Sequence, residues 1–183
     1  MGEKYPEISD TQKKFIEDQK LFFVATATAD SRVNVSPKGM DSLRVLNRNL
    51  VVWINLTGSG NETSVHIQEN PRMTVMFTAF EGNPLTLRLY GNARVIHKND
   101  PEWSQLLLLF DSIPGARQIF DLSVDLVHAS CGMSVPLFNY VEEREQLKVQ
   151  LSRMGEEDFI EFWQKHNEVS LDGQPTHIIR KNT

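Results

Sequence analysis

The amino-acid sequence predicts a mainly β fold, a small antiparallel barrel of six or seven strands with helices at its periphery. The β-forming residues occur in short stretches that turn-forming residues separate. Only short helical patterns lie between these stretches, so the alternating strand–helix units of a parallel sheet are missing. A barrel is favoured over an open sheet because closure removes unpaired strand edges.

The first predicted element is a helix at residues 9–20. Ser9 and Gln12 have the spacing of a capping box, in which each side chain bonds to the other residue's backbone. The chain then changes to β-forming residues, and a turn at 29–31 between two such stretches predicts a hairpin. A continuous apolar run predicts that the fourth strand is buried. The predicted strands are 21–28, 32–36, 42–46, 50–55, 73–77, 85–96 and 122–131.

A glycine-containing loop at 58–61 precedes the next predicted helix, 62–69. Asn61 is a residue type that caps helix N-termini, and Asn70 before Pro71 would end the helix. Small polar residues ahead of a helix attract an anion, because free backbone N–H groups and the helix dipole point outward there. Two interpretations stay open at this loop, a phosphate site and a plain helix cap.

Short helices are also predicted before the last strand. Asp100 and Pro101 are typical of a helix start, as an N-cap followed by a first-turn proline. The break at 113–115 ends that helix, and a further short helix is expected to reach Phe120.

Two amphipathic helices are predicted after the barrel, at 142–154 and 156–166, followed by a loop at 170–175. The 183 residues suit one domain, with the barrel core at about 21–131 and a helical extension at about 140–183.

The composition excludes several partner classes. With 24 acidic and 19 basic residues the formal net charge is −5, which argues against broad nucleic-acid binding. No apolar run approaches the roughly 20 residues that cross a bilayer, and the polar N-terminus is not a secretory signal. Cys131 is the only cysteine, so an intrachain disulfide is excluded. We therefore expect a cytoplasmic protein that binds neither membrane nor nucleic acid.

Few residues point to catalysis. The five histidines form no HExxH motif and no zinc-type spacing with cysteine, so no metal site is expected. There is no G-x-S-x-G nucleophile motif. Cys131 is either a thiol in contact with a ligand or a buried structural cysteine, and the second is the commoner case. No catalytic acid or base is identified.

Three motifs follow one another in the first half of the chain. The apolar strand 50–55 leads into the glycine loop and a short helix, then Asn-Pro-Arg at 70–72, and later Gly-x-Ala-x-Val at 91–95. In this order they resemble the FMN-binding split β-barrel of the pyridoxamine 5'-phosphate oxidase family. The resemblance covers residues 22–95, and the C-terminal part resembles an uncharacterised branch of that family.

The resemblance implies an FMN cofactor at a homodimer interface. The phosphate would bind between Lys38 and the loop–helix junction at 61–63, and the flavin ring would lie near Ser36 and Trp53, with the other subunit closing the site. The residues that the resemblance assigns to the cofactor are Val35, Ser36, Pro37, Lys38, Trp53, Ile54, Asn55, Gly60, Asn61, Glu62, Thr63, Arg88, Cys131 and Gly132.

The chain departs from the oxidase at the start of the phosphate helix. The oxidase has Arg and Lys where this chain has Glu62 and Thr63. Glu62 would repel a phosphate unless it turns outward, with Lys38, Arg72 or Arg88 compensating. Residues 135–183 also lack the oxidase's ending, so pyridoxamine-phosphate oxidation ranks last among the functions considered.

The leading functional hypothesis is an FMN-dependent oxidoreductase of unassigned substrate, in which the flavin carries the redox chemistry. The alternative is a non-catalytic flavin-, heme- or deazaflavin-binding or stress-response module, since one fold supports several functions.

Overall fold

The computed structural model describes residues 2–183, and one curled antiparallel sheet dominates it. The sheet order is β3-β2-β6-β7-β8-β5-β4, and β1 pairs with β8. This confirms the predicted mainly β, split-barrel fold with its seven strands, to which β1 adds an eighth. The strands are β1 (Glu3–Tyr5), β2 (Phe22–Thr26), β3 (Asn34–Lys38), β4 (Leu43–Asn47), β5 (Leu50–Leu56), β6 (Arg72–Thr78), β7 (Thr86–Ile96) and β8 (Ala116–Ser130).

Six short helices surround the sheet. The predicted capping box is present, because the Gln12 N–H donates to Ser9 Oγ at 3.2 Å and the Ser9 N–H donates to Gln12 Oε1 at 2.9 Å. None of the helices in residues 2–183 has the length and apolarity that crossing a membrane requires. The helices are α1 (Asp10–Asp18), α2 (Glu62–Glu69), α3 (Trp103–Leu107), α4 (Gln146–Leu151), α5 (Glu156–His166) and α6 (Ile178–Asn182).

The core lies inside the curl of the sheet. Trp53 of β5 stacks on Phe120 of β8 with ring centroids 4.4 Å apart, and both side chains are fully buried. The opposite face of β5, with Val52 and Ile54, packs against Trp103 of α3. Because β5 is covered on both faces, its continuous apolar sequence is explained. A smaller cluster of Leu151, Phe159, Trp163 and Ile178 is the core of the C-terminal extension.

The prediction of a short helix ending at Phe120 was wrong. Residues Ala116–Ser130 form the single strand β8, which pairs with β5 on one side and β7 on the other. This central position fixes the segment as a strand, and the helix-breaking Pro114 and Gly115 lie just ahead of it.

Two other helix boundaries differ from prediction. The helix expected at Asp100 begins at Trp103, because the Asp100 carboxylate accepts the His97 N–H at 2.7 Å and does not cap. The helix expected at 142–154 is the six-residue α4, in which only Leu151 is buried. A helix with so little apolar burial gains too little from packing to extend further.

The two ends of the sheet are consecutive in sequence. Strands β3 and β4 lie at opposite ends of the strand order, yet only residues 39–42 connect them. Within this link Met40 and Asp41 have left-handed backbone conformations, with φ of 61° and 51°. The curl therefore leaves a seam between the two ends, and one short link spans it.

A bulge in β8 lies opposite Tyr90 and Gly91 of β7. Tyr90 pairs with Leu126 and Gly91 with Val124, so Asp125 of β8 is the extra residue. A Cβ at Gly91 would overlap the backbone carbonyl of Ser123, so only glycine allows this close approach.

Candidate functional site

A cleft of about 380 Å³ opens at the seam of the sheet. It is lined by residues from 34–42 and 54–63, together with Arg117 and Leu147. Strands near both ends of the sheet, β3 and β5, thus contribute to one cleft. Its volume lies within the range of small-molecule sites, roughly 300–1,000 Å³.

The N-terminus of α2 faces this cleft. Asn61 and Glu62, at the start of the helix, both line it, as does Thr63. The Asn34 amide donates to Thr63 Oγ1 at 3.0 Å, which leaves the Thr63 hydroxyl proton available to a ligand. The first N–H groups of a helix have no intrahelical acceptor, so this end of α2 attracts negative charge.

The Asn61 side chain does not cap the helix, contrary to prediction. It is 4% exposed, and neither its amide nitrogen nor its amide oxygen has a hydrogen-bond partner among the described residues. A buried polar group without a partner is destabilising. A ligand in the cleft that hydrogen-bonds to this amide would remove that penalty.

Arg117 of β8 places a buried positive charge at the cleft. Its guanidinium is 3% exposed and donates to Asn167 Oδ1 at 2.7 Å and to the carbonyl oxygens of Gly58 and Gly60 at 3.3 and 2.5 Å. Its Nε–H has no partner among residues 2–183. Burial lowers the pKa of the guanidinium to about 9, so it is still charged at neutral pH.

Lys38 of β3 supplies a second charge. Burial, and then the charge of Arg117, lower the pKa of Lys38 to about 8. Its Nζ lies 5.2 Å from the centre of the Trp53 ring. Neither Lys38 nor Arg117 forms an ion pair with a carboxylate in residues 2–183. The cleft therefore holds two cations whose charge no carboxylate of the described chain balances.

Glu62 also lines the cleft, but its carboxylate forms no ion pair with either cation in residues 2–183. It accepts the backbone N–H of Leu171 at 3.0 Å, in the C-terminal extension. An outward orientation of Glu62, which would lessen its repulsion of a phosphate, agrees with this contact. Arg117, rather than Arg72 or Arg88, is the additional cation at the cleft.

Two buried side-chain amides, those of Asn55 and Gln118, link the cleft to the buried His97 ring. The Asn55 amide donates to Gln118 Oε1 at 3.0 Å, and Gln118 Nε2 lies 3.3 Å from His97 Nε2. Burial, aided by Lys181 and opposed by Asp100, lowers the pKa of His97 to about 4, so the ring is neutral. Gln118 donates to this ring through Nε2, so its Oε1 is the acceptor of the Asn55 amide N–H. The carbonyl oxygen of Asn55 is then available to accept a hydrogen bond from a ligand hydroxyl or N–H.

The structure brings most of the predicted cofactor residues together. Those that line the cleft are Ser36, Pro37, Lys38, Ile54, Asn55, Gly60, Asn61, Glu62 and Thr63.

The other predicted residues lie elsewhere. Val35 is exposed on β3, and the Trp53 ring lies in the barrel core. Arg88 donates to Ser130 at 3.0 Å on the paired strands β7 and β8. Gly132 packs against the backbone of Leu85. Cys131 is exposed, so the interpretation of a buried structural cysteine was wrong.

Sequence reasoning missed Arg117 as a site residue. The residue falls in the stretch predicted as a helix, although a charged side chain among the apolar residues of a β-forming stretch signals a buried cation. No group of three or more His, Cys, Asp or Glu in residues 2–183 is placed to hold a metal ion.

The fold is an antiparallel split β-barrel with a cleft at its seam that is lined by two cations, Lys38 and Arg117. The sequence model described as pyridoxamine 5'-phosphate oxidase matches residues 8–131. The chain belongs to the pyridoxamine 5'-phosphate oxidase family, as the motifs predicted.

Individual relatives agree with this assignment. The "Pyridoxamine 5'-phosphate oxidase family protein ustO" of Aspergillus flavus is 38% identical over 146 residues, which are 77% of this chain and 59% of the relative. This chain thus spans about three fifths of that relative's length.

Two solved structures share the fold. A variant of HupZ from Group A Streptococcus has a TM-score of 0.53 and 20% identity over 67% of this chain and 99% of that one. HutZ, the heme storage protein from Vibrio cholerae, has a TM-score of 0.50 and 18% identity over 69% and 97%. At these identities the likeness concerns the fold alone.

Proposed function

We propose that this chain binds FMN, with the phosphate in the cleft at the N-terminus of α2, and acts as a flavin-dependent oxidoreductase of unassigned substrate. The observation that carries the proposal is a pair of cations, the half-buried Lys38 and the buried Arg117, which have no carboxylate partner in residues 2–183 and line the same cleft as the helix N-terminus. A phosphate with a charge of about −1.5 to −2 would balance them.

The donors around the cleft suit a phosphate monoester. Lys38, the Asn61 amide, the Thr63 hydroxyl and the first N–H groups of α2 can all donate to phosphate oxygens. Arg117 also occupies the carbonyl oxygens of Gly58 and Gly60, which would otherwise repel an anion. Each charge-assisted hydrogen bond of this kind contributes about 1.5–3 kcal/mol.

The remaining cleft residues suit the rest of an FMN molecule. The Asn55 carbonyl oxygen is an acceptor that a ribityl hydroxyl would satisfy. Ser36, Pro37 and Ile54 would bound the flavin ring, as the family resemblance implies. When bound, FMN supplies the hydride or electron transfer, while the protein binds, orients and shields it.

A second copy of the chain would complete this site. Val35 on the edge strand β3 and Val33, just before that strand, are 60% and 72% exposed. Covering this apolar edge would support a homodimer. Size-exclusion chromatography with light scattering tests it. A species of 21.0 kDa at micromolar concentration would contradict the dimer.

The test of FMN binding is a titration followed by quenching of flavin fluorescence. Wild-type protein is expected to bind FMN with 1:1 stoichiometry and to show absorption near roughly 450 nm, a property of the cofactor. Riboflavin, which lacks the phosphate, is expected to bind at least about tenfold more weakly. Folded protein that ignores FMN, or that binds riboflavin equally well, would overturn the proposed phosphate site.

Heme binding is the second candidate, because HutZ, a heme storage protein, shares the fold. Heme iron is held by His, Cys, Met or Tyr side chains. Among the described residues that line the cleft, Met40 is the only one of these types. The cleft therefore favours a phosphate-bearing ligand, and a Soret band on adding hemin would count for the alternative.

A further inference from the structure

The C-terminal extension forms a tight turn beside the start of α2. In this turn, residues 170–174, the Ser170 N–H donates to the Gln174 carbonyl at 2.9 Å, and the Gly173 N–H donates to the Ser170 carbonyl at 3.0 Å. The Asp172 carboxylate accepts the backbone N–H of Arg32 at 2.9 Å and also pairs with its guanidinium. The turn is thus closed on itself and anchored to the link between β2 and β3.

This anchored turn places the backbone N–H of Leu171 next to Glu62, the acidic residue of the cleft. The N–H of Leu171 donates to the Glu62 carboxylate at 3.0 Å, whereas the Leu171 side chain is 80% exposed and contributes little. Glu62 lines the cleft together with Lys38 and Arg117. If the Glu62 carboxylate did not accept the Leu171 N–H, electrostatic attraction would draw it toward Lys38 and Arg117.

The Glu62 carboxylate forms no ion pair with Lys38 or Arg117 in the described part of the chain. Burial, and then the charge of Arg117, lower the pKa of Lys38. A carboxylate directed at Lys38 would stabilise the ammonium and raise that pKa.

A second contact from the same extension directs Arg117. Asn167 is fully buried, and its Oδ1 accepts the Arg117 guanidinium at 2.7 Å while its Nδ2 donates to the Gly58 carbonyl at 2.9 Å. One side chain therefore ties the cation to the loop that precedes α2. Residues 163–171 lie outside the 8–131 span that the family sequence model matches.

We propose that residues 167–172 set the charge of the cleft, with Asn167 positioning Arg117 at it and the Leu171 N–H holding Glu62 away from it. The anion site is then complete only when the C-terminal extension is docked. This inference rests on the proposed phosphate site and concerns how its affinity for an anion is regulated. When the turn is displaced, Glu62 moves into the cleft and takes the place of the anion.

Leu171→Pro removes the N–H that holds Glu62, and Leu171→Ala is the matched control because it keeps the N–H. The first readout is the titration of Lys38 by NMR of labelled lysine, with the signal assigned by Lys38→Arg. The pH midpoint of Lys38 is expected to rise by about one pH unit or more in Leu171→Pro and to stay unchanged in Leu171→Ala. In the double variant Leu171→Pro with Glu62→Gln, the midpoint is expected to return to the wild-type value.

The second readout is FMN affinity, measured on the same four proteins. Leu171→Pro is expected to weaken binding about tenfold, and this loss is expected to disappear in the Glu62→Gln background. Asp172→Asn, which weakens the anchor to Arg32 and leaves the Leu171 N–H intact, should shift both readouts in the same direction as Leu171→Pro.

The outcomes separate this inference from the proposed function. If wild-type protein binds no FMN but the Lys38 midpoint moves as expected, the charge control stands and the flavin assignment falls. If FMN binds and the Lys38 midpoint in Leu171→Pro equals that of wild type, the flavin assignment stands and the charge control is refuted. A loss of FMN affinity that persists in the Glu62→Gln background would also refute it, because the loss would then be structural.

Discussion

Replacing Lys38 with methionine is expected to make the ligand-free protein more stable and its FMN binding weaker. Burial and Arg117 lower the pKa of Lys38 from 10.5 to about 8, which corresponds to a penalty of about 3 kcal/mol for the charged form at neutral pH. Methionine fills a similar volume without the charge. It also loses the contact of the ammonium with the Trp53 ring, worth about 0.5–2 kcal/mol.

The difference leaves a gain of about 1–2.5 kcal/mol, or about 2–10 °C in Tm for a chain of this size. FMN affinity is expected to fall about 10- to 100-fold, because a charge-assisted contact to phosphate is lost. Thermal unfolding without ligand and fluorescence titration with FMN measure the two effects. Lys165→Met, at an exposed lysine that does not line the cleft, is the control and should change neither.

The stability gain depends on pH in a defined direction. The folded pKa of Lys38 lies below the unfolded value, so the penalty is complete below about pH 8 and disappears as the pH rises toward 10.5. Lys38→Met should therefore exceed wild type in stability at pH 7 and match it within about 1 kcal/mol near pH 10.5. A variant that is less stable than wild type at pH 7 and binds FMN equally well would refute the reasoning.

Three further predictions concern the cleft and the sheet. FMN affinity of the wild type should decrease about tenfold per pH unit above pH 8, as Lys38 loses its proton, and titrations at pH 7, 8 and 9 measure this. Arg117→Met should weaken FMN binding by at least about tenfold in the same assay while Lys38 titrates at a higher pH, because a neighbouring positive charge is gone. Gly91→Ala should lower the free energy of unfolding by about 1–3 kcal/mol in urea, whereas Gly60→Ala, where nothing lies within 4 Å of the new Cβ, should unfold at nearly the wild-type urea concentration.

The local patterns of the sequence were sufficient to predict strands β2–β7, most of β8 and α1, but not the three-residue β1. Alternation and apolar runs determine which stretches can form a half-buried sheet, and the Ser9–Gln12 box involves residues three apart. The short stretch 116–120 is mistaken for a helix because five residues carry too little periodicity to distinguish the two structures. Its pairing with β5, more than 60 residues away in the chain, decides the matter.

The charge balance of the cleft could not be read from the sequence. The partner of Arg117 is Asn167, 50 positions away, and the partner of Glu62 is Leu171, 109 positions away. Both contacts depend on how the C-terminal extension docks, which no local pattern specifies. Residues on β3, β5 and the loop before α2 were predicted to share a site because the family motifs place them there, and the cleft brings those residues together.

The link between β3 and β4 limits the distance by which the two ends of the sheet can separate. Five peptide steps separate Lys38 from Leu43, so their Cα atoms can be at most about 18 Å apart in any conformation of the sheet. Gly39, Met40 and Ser42 of this link are themselves part of the cleft wall. Because this covalent link keeps β3 and β4 close together, the cleft cannot open by separation of the two ends of the sheet. A ligand in the cleft would therefore enter and leave beside the link.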